Sequence, residues 1–396
     1  MHVPGGSIGI SSPLLKDFSI ESLFAPLETG QFTLSNRFAM SPMTRAFATN
    51  GMPPEGAADY YRRRAEGGVG LIITEGVAPP HPVAHQGENI PEFHGAALDR
   101  WAEVARAVHG AGSKIFAQLW HAGTARRAWQ TRNPDEPSVG PSDYSADGNG
   151  PNRAMTDSDI ADVIAAFAEA AVSAKRIGFN GVNVHGAHGY LIDQFFWART
   201  NRRDDAYNGN LVERTRFGRE LIAGMRAAVG SDFPIMLRWS QWKGPDYGAK
   251  LVETPHDLES FLCPLVEAGV DMFDCSTRRF WVPEFEGSDF NLAGWTREVT
   301  GKVTMTVGSV GLEAPLEGRT MGSIINADFT LSNLVRLMEM FERGDFDLVA
   351  LGRSVLMNPD WPTLIRDGRY DGLRAYDHGI VAKYLECADA PSLPTK

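Results

Sequence analysis

Hydrophobic and polar positions follow two rhythms along this chain. Eight short runs are almost continuously apolar: "RFAMSP" from Arg37, "GLIITEG" from Gly70, "KIFAQLW" from Lys114 and "GVNVHG" from Gly181, then "PIMLRWS" from Pro234, "DMFDCS" from Asp271, "KVTMTVG" from Lys302 and "DLVALGR" from Asp347. Each is about five to seven residues long, the pattern of strands buried on both faces of a parallel sheet. The second rhythm is helical. "ALDRWAEVARAVHGAG" from Ala97 closes on glycine, as a helix C-terminus does. "TDSDIADVIAAFAEAAVSAKRIGF" opens on Thr156 with acidic residues in its first turn and carries Lys175 and Arg176 near its end, the charge order that a helix dipole favours. "TPHDLESFLCPLVEAG" from Thr254 and "LSNLVRLMEMFERGD" from Leu331 read the same way.

Eight strands separated by helices predict one (β/α)8 TIM barrel spanning residues 1–396. The competing arrangement is an open doubly wound sheet. A GxGxxG turn after the first strand would favour it, and "MSPMTRAF" is not one. Before the first run, "LFAPLETGQFTLSNRF" predicts a hairpin turning at Thr29-Gly30 and capping the barrel bottom. Residues 1–20 predict a flexible N-terminal arm, rich in Gly, Ser and Pro. No internal repeat or interdomain linker stands out.

Composition narrows the function. The net charge of −11 argues against general attraction to nucleic acid or an anionic membrane. Cys263, Cys275 and Cys387 are odd in number and far apart, with no disulfide framework and no CxxC signature. No apolar run approaches a membrane span, and the N-terminus lacks the features of a signal peptide. A soluble, cytoplasmic protein is expected, with self-association into a homo-oligomer left open. The "RRR" at Arg62 to Arg64 reads as a solvated helix face.

In such a barrel the chemistry sits where the strands end. Run one ends in Ser41-Pro42-Met43-Thr44-Arg45, run two in Thr74-Glu75-Gly76 and run three in Gln118-Leu119-Trp120-His121. Run four ends in His185 and His188, with Tyr190 just beyond, and run five in Arg238. Runs seven and eight end in Gly308-Ser309 and Gly352-Arg353, where barrels commonly hold a phosphate on backbone N–H groups. Arg353 adds a charge for it. Gln118 offers a matched donor and acceptor for a heterocycle, and Arg238 a cation for an electron-rich ring edge. A phosphate at one end, a heterocycle in the middle and a cation beside it fit FMN, although phosphosugars share the phosphate site. Paired histidines at i, i+3 also raise a metal, but no third ligand is evident in the sequence.

These segments together resemble the Old Yellow Enzyme family of FMN-dependent ene-reductases. The match runs from "LFAPLETGQFTLSNRFAMSPMTR" to "DLVALGRSVLMNPDW", and its most specific part is "VHGAHGYLIDQFFWARTNRRDDAYNGNLVERTRF". "LIITEG", "FAQLWHAG", "LRWS" and "TVGSVGL" fall in the expected order. The resemblance implies noncovalent FMN over the barrel top and NAD(P)H as hydride donor. It implies that Ser41, Pro42, Met43, Thr44, Gly76, Gln118, His185 and Arg238 meet the flavin ring, and that Gly308, Ser309, Gly352 and Arg353 meet the phosphate end. Thr44 takes the place of a Thr or Cys that tunes the flavin. Trp120 is expected to line the substrate site.

The reaction it implies is hydride transfer to the β-carbon of an α,β-unsaturated carbonyl or nitro compound. His185 and His188 would donate hydrogen bonds to the substrate oxygen, and Tyr190 would protonate the α-carbon. Two segments depart from the family pattern: "SQWKGPDYGAK" after Arg238, and the long aromatic stretch after run six. The second predicts a lid loop over residues 276–300, with Phe280 or Trp281 over the substrate. Tyr207-Asn208-Gly209-Asn210 replaces the usual Tyr-Gly-Gly-Ser, which touches only local loop geometry. Arg126-Arg127 and Arg278-Arg279 are candidates for the nicotinamide cofactor's phosphates. Larger relatives carry an iron–sulfur cluster and a second flavin domain, for which this sequence has no cysteine cluster. Three other readings stay in view: an FMN-linked amine dehydrogenase, a noncatalytic flavin-binding protein and a metal-dependent hydrolase. A visible spectrum and anaerobic addition of NAD(P)H, then an enone, separate them.

Overall fold

All eight apolar runs become strands: β1 (Phe38–Met40), β2 (Leu71–Val77), β3 (Lys114–Leu119), β4 (Gly181–His185), β5 (Ile235–Trp239), β6 (Met272–Ser276), β7 (Val303–Val307) and β8 (Leu348–Leu351). A computed structural model of the protein describes residues 19–313, 329–387 and 389. Each strand pairs in parallel with the next, and β8 pairs back onto β1, so the sheet closes into a barrel with no free edge. Around it lie α1 (Ala57–Glu66), α2 (Ala97–Gly110), α3 (Asp157–Arg176), α4 (Leu191–Phe196), α5 (Arg216–Val229), α6 (Pro255–Glu267), α7 (Leu292–Thr300), α8 (Ser332–Glu342) and the short α9 (Arg353–Met357).

Helix starts are set by local chemistry. At α3 the Asp159 N–H donates to Thr156 Oγ1 at 3.2 Å, and the Thr156 N–H donates back to the Asp159 carboxylate at 2.7 Å. Thr254 and Asp257 repeat this reciprocal cap at α6, where Pro255 fills the first helical position. The predicted hairpin forms from Leu27–Glu28 and Thr33–Leu34, with Gly30 at a φ of +83° in its turn. Leu27 and Leu34 pack with Phe116, Met236, Met272 and Met305, which plug the lower barrel.

That plug sets up the site above it. Side chains alternate in and out along each strand, so residues two apart share the barrel interior. One step up from Phe116 stands Gln118, from Gly181 Asn183, from Met236 Arg238, and from Met272 Asp274. The interior changes from apolar to polar within one pleat, toward the C-terminal strand ends.

Three expectations need correction. Residues 276–300 do not form one lid loop, because 292–300 are helix α7, whose N-cap Asn291 accepts the Gly294 N–H at 2.9 Å. Of the arm expected over residues 1–20, residues 1–18 lie outside the described residues, and Ile20 packs into the core. Arg64 is not on a solvated face. It is fully buried, pairs with Glu386 at 2.6 Å and donates to the Val355 and Leu356 carbonyls. Arg62, two residues before it, is partly exposed and pairs with Asp59 and Glu66. Among the described residues no helix is long and apolar enough to cross a membrane.

Candidate active site

A cavity of about 490 Å³ opens at the C-terminal ends of the strands, within the range of about 300–1,000 Å³ usual for ligand pockets. The loop after β1 forms one side of it through Ser41, Pro42, Met43 and Thr44. This loop is held from below. The Ser41 N–H donates to Leu351 O at 2.9 Å. The buried Glu75 carboxylate accepts the backbone N–H groups of Arg45 at 2.9 Å and Ala46 at 3.3 Å. Arg45 reaches the other way, donating to the carbonyls of Val381, Tyr384 and Leu385. It thereby ties down the C-terminal segment whose Tyr376 and Val381 also face the cavity.

Burial pushes Glu75 up to about 7, against the pull of its two N–H donors and of Arg45. The raised group favours folding most below the ordinary carboxyl range, and that contribution is lost as pH rises from about 4.5 through about 7. A Glu75→Gln variant should therefore lack a fall in stability on the order of 3 kcal/mol across this window. Thermal midpoints of parent and variant at stepped pH check it, and parallel pH slopes would refute the assignment.

The floor is a chain of polar side chains crossing four strands. Gln118 Nε2 donates to Asn183 Oδ1 at 2.9 Å, Asn183 Nδ2 to Asp274 Oδ2 at 3.1 Å, and Arg238 Nη1 to the same oxygen at 2.6 Å. Arg238 Nη2 reaches Ser276 Oγ at 3.1 Å. Burial raises Asp274, while Arg238 and Asn183 hold it down. The guanidinium has five donors, so these two contacts leave it capacity toward the cavity.

His185, His188 and Tyr190 stand together on the wall. The rings of His188 and of Tyr190 each lie 5.0 Å from that of His185, edge to face. Trp120 meets Tyr190 at 4.9 Å. His188 stacks on Trp242 at 4.2 Å, and its Nε2 lies 2.8 Å from Ser276 Oγ. Burial drives both imidazoles well below the ordinary histidine range, and the nearby Arg238 pushes in the same direction. Both are neutral at pH 7. Burial drives the Tyr190 phenol upward, helped by Asp147, so it keeps its proton. His185 Nδ1 and Trp120 Nε1 are buried and have no hydrogen-bond partner among the described residues. Among the described residues no third His, Cys, Asp or Glu completes an arrangement that could hold a metal ion.

At the other end of the cavity lie Gly308, Ser309, Gly352 and Arg353. Gly308 has a φ of +140°, and a Cβ there would come within 2.8 Å of the backbone at Arg279. Only glycine fits this approach. Ser309 adopts a φ of +56° and accepts from Arg353 Nη2 at 3.3 Å. Burial strips water from Arg353, whose guanidinium lies over Tyr376. A desolvated guanidinium beside open backbone suits a phosphate. The donor set thus fits FMN. Gly308, Ser309, Gly352 and Arg353 would hold its phosphate, and Thr44, Gln118 and Arg238 its ring.

Three of the expected site residues lie off the cavity wall. Gly76 sits behind Trp120, and a Cβ on it would fall 2.6 Å from the indole. Its bare backbone makes room for Trp120 rather than lining the cavity. Phe280 is fully buried in the core, its carbonyl bound by Asn291 Nδ2 at 2.7 Å. Trp281 packs edge-on against Phe280. Phe280 is thus core rather than lid. Of the arginine pairs, Arg126 is buried and holds its own loop through Glu136 O, Asn133 O and Thr131 Oγ1. That placement removes it from cofactor recognition. Arg278 does face the cavity, stacked over Tyr247 at 4.0 Å. The sequence reading missed Ser276, Trp242, Tyr247, Tyr376 and the Asn183–Asp274 relay. Ser276 and Asp274 were findable, as polar residues at the top of an apolar strand.

The family model described as the NADH:flavin oxidoreductase / NADH oxidase family matches residues 22–281. The NADH oxidase of Thermoanaerobacter brockii is 34% identical over 360 residues, covering 89% of this chain and 52% of that protein. The chain thus spans about half the length of that relative. The NADPH dehydrogenase of Halalkalibacterium halodurans is 33% identical over 352 residues, covering 86% of this chain and 92% of that protein. Among solved structures, morphinone reductase in complex with tetrahydroNAD superposes with a TM-score of 0.77 at 25% identity, covering 94% of this chain and 98% of that one. A closed eight-stranded barrel, a cavity fitted to FMN and these matches place the chain in the NADH:flavin oxidoreductase / NADH oxidase family, the Old Yellow Enzyme family.

Proposed function

We propose that this chain is an ene-reductase that passes two electrons from NAD(P)H to the alkene of an α,β-unsaturated carbonyl or nitro compound. Bound FMN supplies the hydride relay between the two substrates. The observation that carries the reading is the cluster of His185, His188 and Tyr190. Two neutral imidazoles and one protonated phenol share a single wall.

A neutral imidazole still has one N–H to donate, and it adds no net charge that would bind the substrate's ground state tightly. Donated to a carbonyl or nitro oxygen, the N–H groups of His185 and His188 stabilise the negative charge that grows there as the β-carbon receives hydride. Ser276 helps to orient His188 through the 2.8 Å contact to Nε2, and links it to Arg238. Tyr190 holds a proton at its phenolic oxygen for the α-carbon. A phenol kept above its ordinary value stays a proton donor throughout neutral pH. Trp120 and Trp242 exclude water around this wall.

Anaerobic mixing tests the reading. The flavin spectrum of the holoenzyme should bleach with NADH or NADPH and recover on addition of 2-cyclohexenone or a nitroalkene. A bleached spectrum that no activated alkene restores, but that returns when an oxidised amine product is added, would give the site to amine oxidation instead.

A further inference from the structure

The turn that carries His188 and Tyr190 is anchored by a buried ion pair that takes no part in the chemistry above. Lys243 Nζ stands 2.6 Å from Asp193 Oδ1, and neither side chain is exposed. The other carboxylate oxygen accepts the backbone N–H of Gly189, the residue between His188 and Tyr190, at 2.7 Å. The Lys243 ammonium also donates to Ser240 O at 2.9 Å. Ser240 Oγ accepts the His188 N–H at 3.1 Å, and the Gly244 N–H donates to His188 O at 3.0 Å. Both backbone polar groups of His188 are therefore held by the segment that contains Lys243. Trp242, the residue before Lys243, stacks on the His188 ring.

The backbone needs such holding. His188 has a φ of +65° and Gly189 one of +84°. A left-handed non-glycine residue persists where its surroundings over-determine it. Stability alone is a weak reason for the pair, since well-packed apolar side chains often serve a buried position as well as two opposite charges. Direction is what charges add. Asp193 starts from α4 and grips the turn, and Lys243 starts from the loop after β5 and grips Asp193. Burial pulls Asp193 up and Lys243 down, and each partner opposes that pull on the other.

We propose that Lys243 and Asp193 are positioning residues that lock the His188–Tyr190 turn against the Trp242 loop, and so set how tightly the site holds an oxygen anion. The proposal rests on the reading of His185 and His188 as the substrate-oxygen site.

The test uses FMN-loaded Lys243→Met. Its flavin content and its reduction by NAD(P)H should stay within about threefold of the parent. Its dissociation constant for 4-hydroxybenzaldehyde, read from the flavin spectrum, should rise about tenfold or more, and reoxidation by 2-cyclohexenone should slow comparably, as when a supporting partner of a functional group is lost. Parental phenol affinity and enone rate in this variant would overturn the proposal. The double variant Asp193→Leu with Lys243→Met removes both charges and should regain thermal stability while phenol binding stays weak. Recovery of both would show a folding role only and would equally overturn it. If Lys243→Met does not accumulate as holoenzyme, Asp193→Glu keeps both charges and lengthens the arm, and it must show the same weakened phenol binding or the lock is refuted. Parental phenol affinity after loss of His185 and His188 would instead sink the underlying site reading.

Discussion

Replacing both His185 and His188 with alanine is expected to slow reoxidation of the reduced holoenzyme by 2-cyclohexenone on the order of a thousandfold. One oxyanion donor alone is worth about 10²–10³ in rate, and paired donors are not additive. The arrangement supports a large effect. Both rings are buried, neutral and in mutual contact, so the double change removes both imidazole donors from one wall together. Reduction by NAD(P)H should suffer less, because no substrate carbonyl or nitro oxygen takes up negative charge in that step. Phenol binding should weaken along with the enone step. Stopped-flow absorbance of each half-reaction separates the two, with flavin content measured first because His185 also lines the cofactor cavity. Enone reoxidation at the parental rate in a fully loaded variant would remove the histidines from their role.

Tyr190→Phe isolates the proton. It keeps the ring that packs against His185 and Trp120 and deletes only the hydroxyl. Enone reoxidation should slow about 10²–10⁴-fold, the usual contribution of a positioned general acid. Phenol affinity and reduction by NAD(P)H should hold near parental values. Nitroalkenes should be less affected, since a nitronate is stable enough to leave and take its proton from water. Because burial raises this phenol above its ordinary value, the parent's enone rate should show no loss from its ionisation as pH rises through the usual tyrosine range near 10. An unchanged enone rate in Tyr190→Phe would assign the proton to another donor.

The two changes read different atoms of one wall. A variant slow in both phenol binding and reoxidation has lost the oxygen site. A variant slow in reoxidation alone has lost the acid. Lys243→Met belongs with the first group, although Lys243 is not among the residues lining the cavity.

Much of the site was legible because barrel chemistry collects where strands end. A polar residue that closes an apolar run needs a partner, either in the cavity or, as with Glu75, in the backbone of a neighbouring loop. That argument found Gln118, His185, Arg238 and Arg353, and all four line one cavity. It failed where residue type gives no direction. Phe280 reads as a lid aromatic and is core. Arg64 and Arg126 read as surface or ligand arginines, and both are buried to hold backbone carbonyls. Gly76 reads as a cofactor contact and makes room for Trp120.

The sequence by itself determined the barrel, because eight near-continuous apolar runs separated by amphipathic stretches are best buried by closing a parallel sheet inside a ring of helices. It also determined which strand ends carry chemistry, because an unpaired polar group at the top of a buried strand needs a partner. Only the tertiary structure decided the partners. Asp193 and Lys243 are 50 residues apart, as are the two ends of the hydrogen bond between them. Arg238 meets Asp274 across two neighbouring strands, and Ser276 at the end of β6 reaches His188 in the loop after β4. Such pairings arise from closure of the sheet and from where its loops settle. A periodicity measured along one segment holds no information about which distant segment will lie against it.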